Sequence, residues 1–408
     1  MAIDTNTGSG ARSLRGPLAF AISCFLIWGL AYGLLDVLNK HFQETLHVGK
    51  AQSTWLQMAY FGAYLLMSLP AGSLLHARGY KFGLITGLMV TAAGAFLFVP
   101  AAQVESFPFF VVSMFVLASG LCFLETSADT YVNVLGKPEH ASRRLNLAQS
   151  FNALGVFFGP IIGGSVFFNA NVTSALGGAQ RSVQITYLII GVAVLAFAFV
   201  MGRAYLPEVA DPHGVGAGGA DGPAKPLIRQ RHFVLGVITQ TVYIGAQVGI
   251  GTFFINLTVE TWHGATSQQA AFLFSAATLA YLIGRFATTA MLLRFPPRII
   301  LTVYGVINVG LCLVASAGIE KYSALALVGV FFFMGTMFPT IFTLGTAGLG
   351  ASTKRASSIM VMAISGGIIL PYPMGRIGEI YGMAPAFLLP AAGFALVALY
   401  GAWGSREG

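Results

Sequence analysis

Charge is what this sequence has least of. Asp, Glu, Lys and Arg together make up 9% of its 408 residues, against roughly 25% in soluble domains. A 43.0 kDa particle with so little charge could not cover itself with polar surface, which excludes an ordinary soluble enzyme. Cysteine is also scarce. Cys24, Cys122 and Cys312 lie far apart inside apolar stretches, with neither metal nor disulfide spacing, and read as small buried hydrophobes. The seven histidines, at 41, 47, 76, 140, 213, 232 and 263, fall in or near loops without metal-ligand spacing, so no metal site and no intramembrane enzyme is expected. There is no G-x-x-x-x-G-K-[ST] stretch, so no phosphate-binding loop for ATP is expected. The formal charge of +8 comes from short basic clusters between apolar runs, a pattern of topology with no nucleic-acid patch in it.

What the chain has in abundance is apolar length: 56% hydrophobic residues, 33 of them Phe, and a mean hydropathy of +0.76. A hydrocarbon layer about 30 Å thick needs about 20 apolar helical residues to cross it. Windows of that length predict an all-α membrane protein with twelve spans, at 18–41, 52–76, 80–103, 107–135, 143–169, 181–206, 232–260, 267–293, 297–318, 322–349, 354–379 and 382–404. The first run is long, contains Asp36 and lacks a small-residue cleavage site, so it is expected to be a retained helix. Residues 207–231, including DPHGVGAGGADGPAKP, are too rich in Gly, Pro and Ala to pack and read as a linker. The expected organisation is a tail (1–17), a six-helix bundle (18–206), the linker, a second six-helix bundle (232–404) and a short tail (405–408). Such a 6+6 plan is that of major-facilitator transporters. With the N-terminus inside, sixteen Lys and Arg fall in cytoplasmic segments and four, Lys40, Lys50, Arg181 and Lys321, outside. That asymmetry predicts cytoplasmic termini. Arg285 and Arg376, near or within spans, stand outside the count.

A charge at the centre of a spanning helix costs about 2.5–3.5 kcal/mol on insertion scales, so it is expected to face a cavity or a partner. In span one, Trp28, Tyr32, Asp36 and Asn39 step by four, four and three, setting an indole, a phenol, a carboxylate and an amide on one stripe. Aromatic faces cover the apolar side of a pyranose while carboxylates and amides bind its hydroxyls; the alternative is interhelical bonding with interfacial aromatics. In span four, Glu125, Asp129 and Asn133 share a face. Two carboxylates one turn apart cannot both ionise cheaply away from water. The deeper, Glu125, is the candidate for binding a proton on one side and releasing it on the other, against the alternative of a permanently protonated structural carboxyl. Asp129 is either solvated or paired with Arg143 or Arg144. Asn146, Gln149 and Asn152 in span five, and Gln240, Tyr243, Gln247 and Gly251 in span seven, form further polar stripes that either bind hydroxyls or bond neighbouring helices. Phe338-Pro339-Thr340 in span ten, and Ser365-Gly366-Gly367 before Pro371 and Pro373 in span eleven, are expected helix breaks of the kind that line transport sites.

At these residues the chain resembles the fucose permease branch of the major facilitator superfamily, the fucose-galactose-glucose proton symporters. The pieces that carry the resemblance are PAGSLLHARGYKFGLITG (70–87), LETSADTYVNVLG (124–136), RLNLAQSFNALG (144–155), YIGAQ (243–247) and FPTIFTLGTAGLG (338–350). The resemblance implies alternating access by two rocking halves, a sugar at the midplane and a co-transported proton in place of any cofactor. By the family's pattern, Asp36 and Glu125 serve proton coupling and sugar binding, and Trp28, Gln149 and Asn152 line the sugar cavity. Gly72, His76, Arg78, Gly79 and Lys81 occupy the place of the superfamily's cytoplasmic gating motif, with His76 where Asp is usual. Tyr32-Gly33-Leu34-Leu35 replaces an Asn-rich stretch of the fucose permease, and Phe338 replaces a Tyr. A pocket that loses polar partners loses discrimination, so glucose, galactose, mannose and N-acetylglucosamine fit as well as fucose. The expectation is a hexose importer in a bacterial inner membrane, working as a monomer without an obligate protein partner. A facilitative uniporter and a sodium-coupled carrier are the alternatives.

Overall fold

The computed structural model describes residues 15–135, 141–207, 227–292, 294–349 and 353–405. Lipid offers backbone groups no hydrogen bonds, so the apolar runs satisfy their own as helices. Among the described residues, twelve helices long and apolar enough to cross a membrane result: Gly16–Thr45, Lys50–Leu75, Ala77–Val104, Phe107–Val132, Leu147–Phe167, Ala179–Arg203, Arg231–Thr261, Ser267–Met291, Pro297–Ser316, Glu320–Thr346, Ile359–Tyr381 and Met383–Gly404. They are spans one to twelve in that order. The 207–231 linker falls mostly outside the described residues, as do Arg12, Lys137, Lys225 and Arg406, and so do the side chains of His76, Asn133, Arg143, Asn146, Lys354 and Arg355.

Twelve crossings put both ends of the described chain on one face, here the terminal face; the opposite face is the distal one. Spans two and three run together, interrupted at Gly79, whose φ of 82° and ψ of 175° turn the chain back. Such a φ is open to Gly and strained for other residues. Lys81, just beyond, donates to the Ala204 carbonyl at the end of span six (2.8 Å), and Arg78 lies over the ring of Phe82.

Within the first half, spans one and five approach to backbone contact. A Cβ on Gly29 would strike the Asn152 carbonyl, and one on Gly33 would stand 2.7 Å from that of Val156, so these glycines, four apart, are what permits the approach. Between the halves, span one packs on seven, five on eight, and two on eleven. The last two pairings exchange under a two-fold that maps one half onto the other, a symmetry too weak to see in the sequence. Span eleven is irregular as expected, with a tight turn at Ala363–Ile368 before a fresh helix from Pro371. One histidine departs from expectation: span one continues one turn past its expected end and buries His41 against Phe42, Phe167 and Phe168. His232, at the start of span seven, is buried with its ring nitrogen 3.0 Å from the Ala347 carbonyl.

Candidate functional site

The two deep carboxyl groups lie on opposite sides of the bilayer midplane. Asp36 is in the distal half of span one and Glu125 in the terminal half of span four. An aromatic wall runs beside them. Trp28 donates from Nε1 to the Tyr60 hydroxyl (3.2 Å), the Tyr60 and Tyr64 hydroxyls are 3.5 Å apart with their rings stacked, and Tyr64 is near enough to Glu125 to interact with it electrostatically. The Tyr32 ring packs on Tyr60 with centroids 5.6 Å apart. Tyr60 and Tyr64 were not anticipated from sequence. The signal was present: Gln57, Tyr60 and Tyr64 step by three and four along span two, the helical spacing that picked out span one.

Asp36 is buried, and its Oδ1 accepts from Gln57 Nε2 (3.2 Å) and from the Thr252 hydroxyl of the other half (3.3 Å). Its Oδ2 occupies the space that Gly251 leaves open, where a Cβ would come within 2.9 Å. From Gln57 a chain of amides continues outward. Asn39 donates to Gln57 (3.1 Å), Gln43 donates to Asn39 (2.7 Å) and Ser53 (2.9 Å), and Asn256 of the other half donates to Gln43 (2.6 Å). Asn39 therefore belongs to a buried polar network under the distal face, apart from the cavity. Thr252 and Asn256 stand one and five positions beyond the polar stripe read in span seven.

Further out, Lys50 bridges the halves through Glu260 (2.5 Å) and the Gly378 carbonyl (2.8 Å). Glu379 accepts from the Ala51 amide (3.0 Å), Glu44 accepts from the Ser267 hydroxyl, and the Ser275 hydroxyl donates to the Phe157 carbonyl. All these bonds between halves lie in the distal half of the molecule, which is shut. Toward the terminal face Glu125, Asp129, Gln149 and Asn152 are only half-buried. Gln149 lies 3.5 Å from Asp129, Arg144 donates from Nε to the Val132 carbonyl, and Asn152 donates to the Phe25 carbonyl (3.3 Å). Such half-exposed polar groups at membrane depth describe a cavity open to the terminal face.

Several buried polar atoms lack hydrogen-bond partners: Glu125 Oε2, Gln247 Oε1 and both amide atoms of Gln240. Buried polar atoms seek partners, so orphans beside a cavity mark where water or a polar ligand binds. Tyr243 is different. It is fully buried, and its hydroxyl donates to the Met334 carbonyl (2.8 Å) at the break in span ten, behind the cavity wall. Phe338, three residues past that break, is half-buried and stacks on Phe342.

This architecture has relatives. The Major Facilitator Superfamily model matches residues 20–371. A glucose/galactose transporter of Brucella abortus biovar 1 (strain 9-941) is 33% identical over 94% of this chain and 92% of its own. The L-fucose-proton symporter of Escherichia coli (strain K12) is 34% identical over 99% and 96%. A crystal structure of the transporter FucP in the outward conformation superposes with a TM-score of 0.67 at 33% identity, covering 97% of this chain and 100% of that one. With two helical halves around a polar midplane cavity and homology along nearly the whole chain, this protein is a transporter that belongs to the major facilitator superfamily, in the fucose permease branch.

Proposed function

We propose that the chain is a proton-coupled symporter that imports a hexose or related monosaccharide by alternating access. One observation carries this reading. Asp36 and Glu125 lie on opposite sides of the midplane beside one aromatic wall of Trp28, Tyr32, Tyr60 and Tyr64, the first shut beneath the closed distal face and the second half-buried in the terminal half with one unpartnered oxygen. A carboxyl that gains a proton on one side and loses it on the other needs this change of access. Aromatic rings beside carboxylates and amides form a surface for a polyhydroxylated ring, and relatives named for glucose, galactose and L-fucose support a sugar as cargo.

The excess of Lys and Arg on the terminal face supports a cytoplasmic location for it in a bacterial inner membrane. The arrangement described is then the inward-facing one, and a TM-score of 0.67 against an outward-facing relative fits two halves rocked the other way. In the cycle, external sugar and a proton enter the outward-open carrier, the distal bonds form, and the Glu125 region opens inward. Loss of the proton inside resets the carrier. Asp36 accepts from Thr252 across the halves, a bond made only when the distal face is shut.

The test is uptake of radiolabelled hexose into proteoliposomes, inside alkaline and free of sodium, for the parent and Glu125→Gln. Concentrative uptake by the parent, lost in the variant while counterflow exchange persists, is expected. Uptake that only equilibrates, indifferent to gradient and substitution, would replace the symporter with a uniporter.

A further inference from the structure

Span eight carries a cation that the reading so far leaves unused. Arg285 lies six residues from the terminal end of Ser267–Met291, about 9 Å in at 1.5 Å per residue. The described residues carry three ion pairs, and Arg285 is in none of them. An arginine at that depth can snorkel to the nearer interface, but this one turns the other way. Its Nη2 donates to the hydroxyl of Tyr281 (3.1 Å), one turn deeper, and the guanidinium carbon lies 5.3 Å from that ring.

Its Nε has a partner for a reason written in span ten. Pro339 has no N–H, so the carbonyl four residues earlier, that of Gly335, lacks its helical donor. Arg285 Nε supplies one at 3.2 Å, while Tyr243 supplies the neighbouring Met334 carbonyl. Two of the five guanidinium N–H groups are thereby used and three are left. The side chain is half-buried, so these are not sealed inside the protein.

The opposite wall at this level is polar. Ser275 bonds Phe157 and Gly164 abuts Ala271, which sets spans five and eight antiparallel. Continued toward the terminal face, that register brings Tyr281 level with Asn152 and Arg285 level with Gln149. Tyr281 is also near enough to Tyr32 of span one to interact with it electrostatically. A fork of cationic donors thus stands beside the Tyr281 phenol and level with the amides of Gln149 and Asn152.

We propose that Arg285 is a sugar-contacting residue of the second half, whose free guanidinium N–H groups donate to adjacent hydroxyls of the bound monosaccharide. The proposal rests on the sugar-transport reading. A planar fork with a fixed Nε contact is pre-organised for two neighbouring oxygens, which the point charge of lysine is not.

The experiment is equilibrium binding of radiolabelled neutral hexoses to the purified full chain, for the parent, Arg285→Lys and Arg285→Gln, with thermal unfolding recorded for each. A parent that binds a hexose, a Gln variant with Kd raised at least tenfold, and a Lys variant in between are expected. A Gln variant that binds with the parent Kd overturns the proposal and leaves the sugar reading standing; a parent that binds no hexose overturns both. Because Arg285→Gln also strips the Gly335 carbonyl of its donor, a second measurement uses the unmutated protein. Phenylglyoxal modification of Arg285, followed by peptide mass spectrometry, is expected to slow severalfold in saturating hexose. An unchanged rate overturns the proposal even if both variants unfold.

Discussion

Gly375→Ala tests whether closure of the distal face is an equilibrium between two packings. Gly375 lies in span eleven against the start of span two, and an ideal Cβ there would stand 2.7 Å from Ala51 Cα, 2.8 Å from Ala51 N and 2.9 Å from Lys50 C. Carbon atoms prefer about 3.5–4.0 Å, and all three obstacles are backbone, so no rotamer change relieves the clash. Overpacking of this kind costs about 1–3 kcal/mol. The obstacles belong to the other half, so only the distal-closed state bears that cost, and the closed-to-open ratio should fall about 5- to 150-fold. Nitroxide labels at Glu105 and Tyr322, exposed on the distal faces of the two halves, report the change by dipolar spectroscopy. The three native cysteines are buried and stay unlabelled. A longer-distance population should grow in Gly375→Ala and not in Gly310→Ala, where a Cβ meets nothing within 4 Å. An unchanged distance distribution in Gly375→Ala would refute the reasoning.

Two further substitutions separate closure from stability. Lys50→Gln removes the Glu260 ion pair and the bond to the Gly378 carbonyl; the pair is partly exposed, so a loss of about 1 kcal/mol and a roughly fivefold opening is expected with the same labels. No shift in their distances would show the pair to be incidental. Gly29→Ala drives a methyl into the Asn152 carbonyl within one half, so both conformations suffer alike. It should lower thermal stability by about 1–3 kcal/mol while leaving the label distances unchanged, and a change in those distances would mean that spans one and five move relative to each other during transport.

The spans were legible because each must cross about 30 Å of hydrocarbon by itself, a requirement met residue by residue along the chain. Their structural limits lie within a few residues of the expected ones, span eleven included, whose first helix begins at Thr353. The Asp36 stripe was legible for the same reason, since one helix's periodicity is local. Gln57, Tyr60 and Tyr64 carried an equally regular signal, but hydroxyl and amide groups blend into apolar surroundings where a carboxylate does not. Arg285 was visible as a residue and opaque as a function, because its Nε partner is created by a proline 54 positions away.

The sequence by itself determined the membrane class, the twelve crossings, the expected orientation and the presence of carboxyls too costly to bury without purpose. These follow from composition and spacing, which every short segment carries independently. Only the tertiary structure decided which polar residues meet. It put Asn39 in a distal network and Tyr243 behind the cavity wall, linked Trp28 to Tyr60 and Tyr64 beside Glu125, and shut the distal face while the terminal one stayed open. The same sequence must form both the open and the closed arrangement of each face, so the choice between them rests on contacts between halves that no local pattern records.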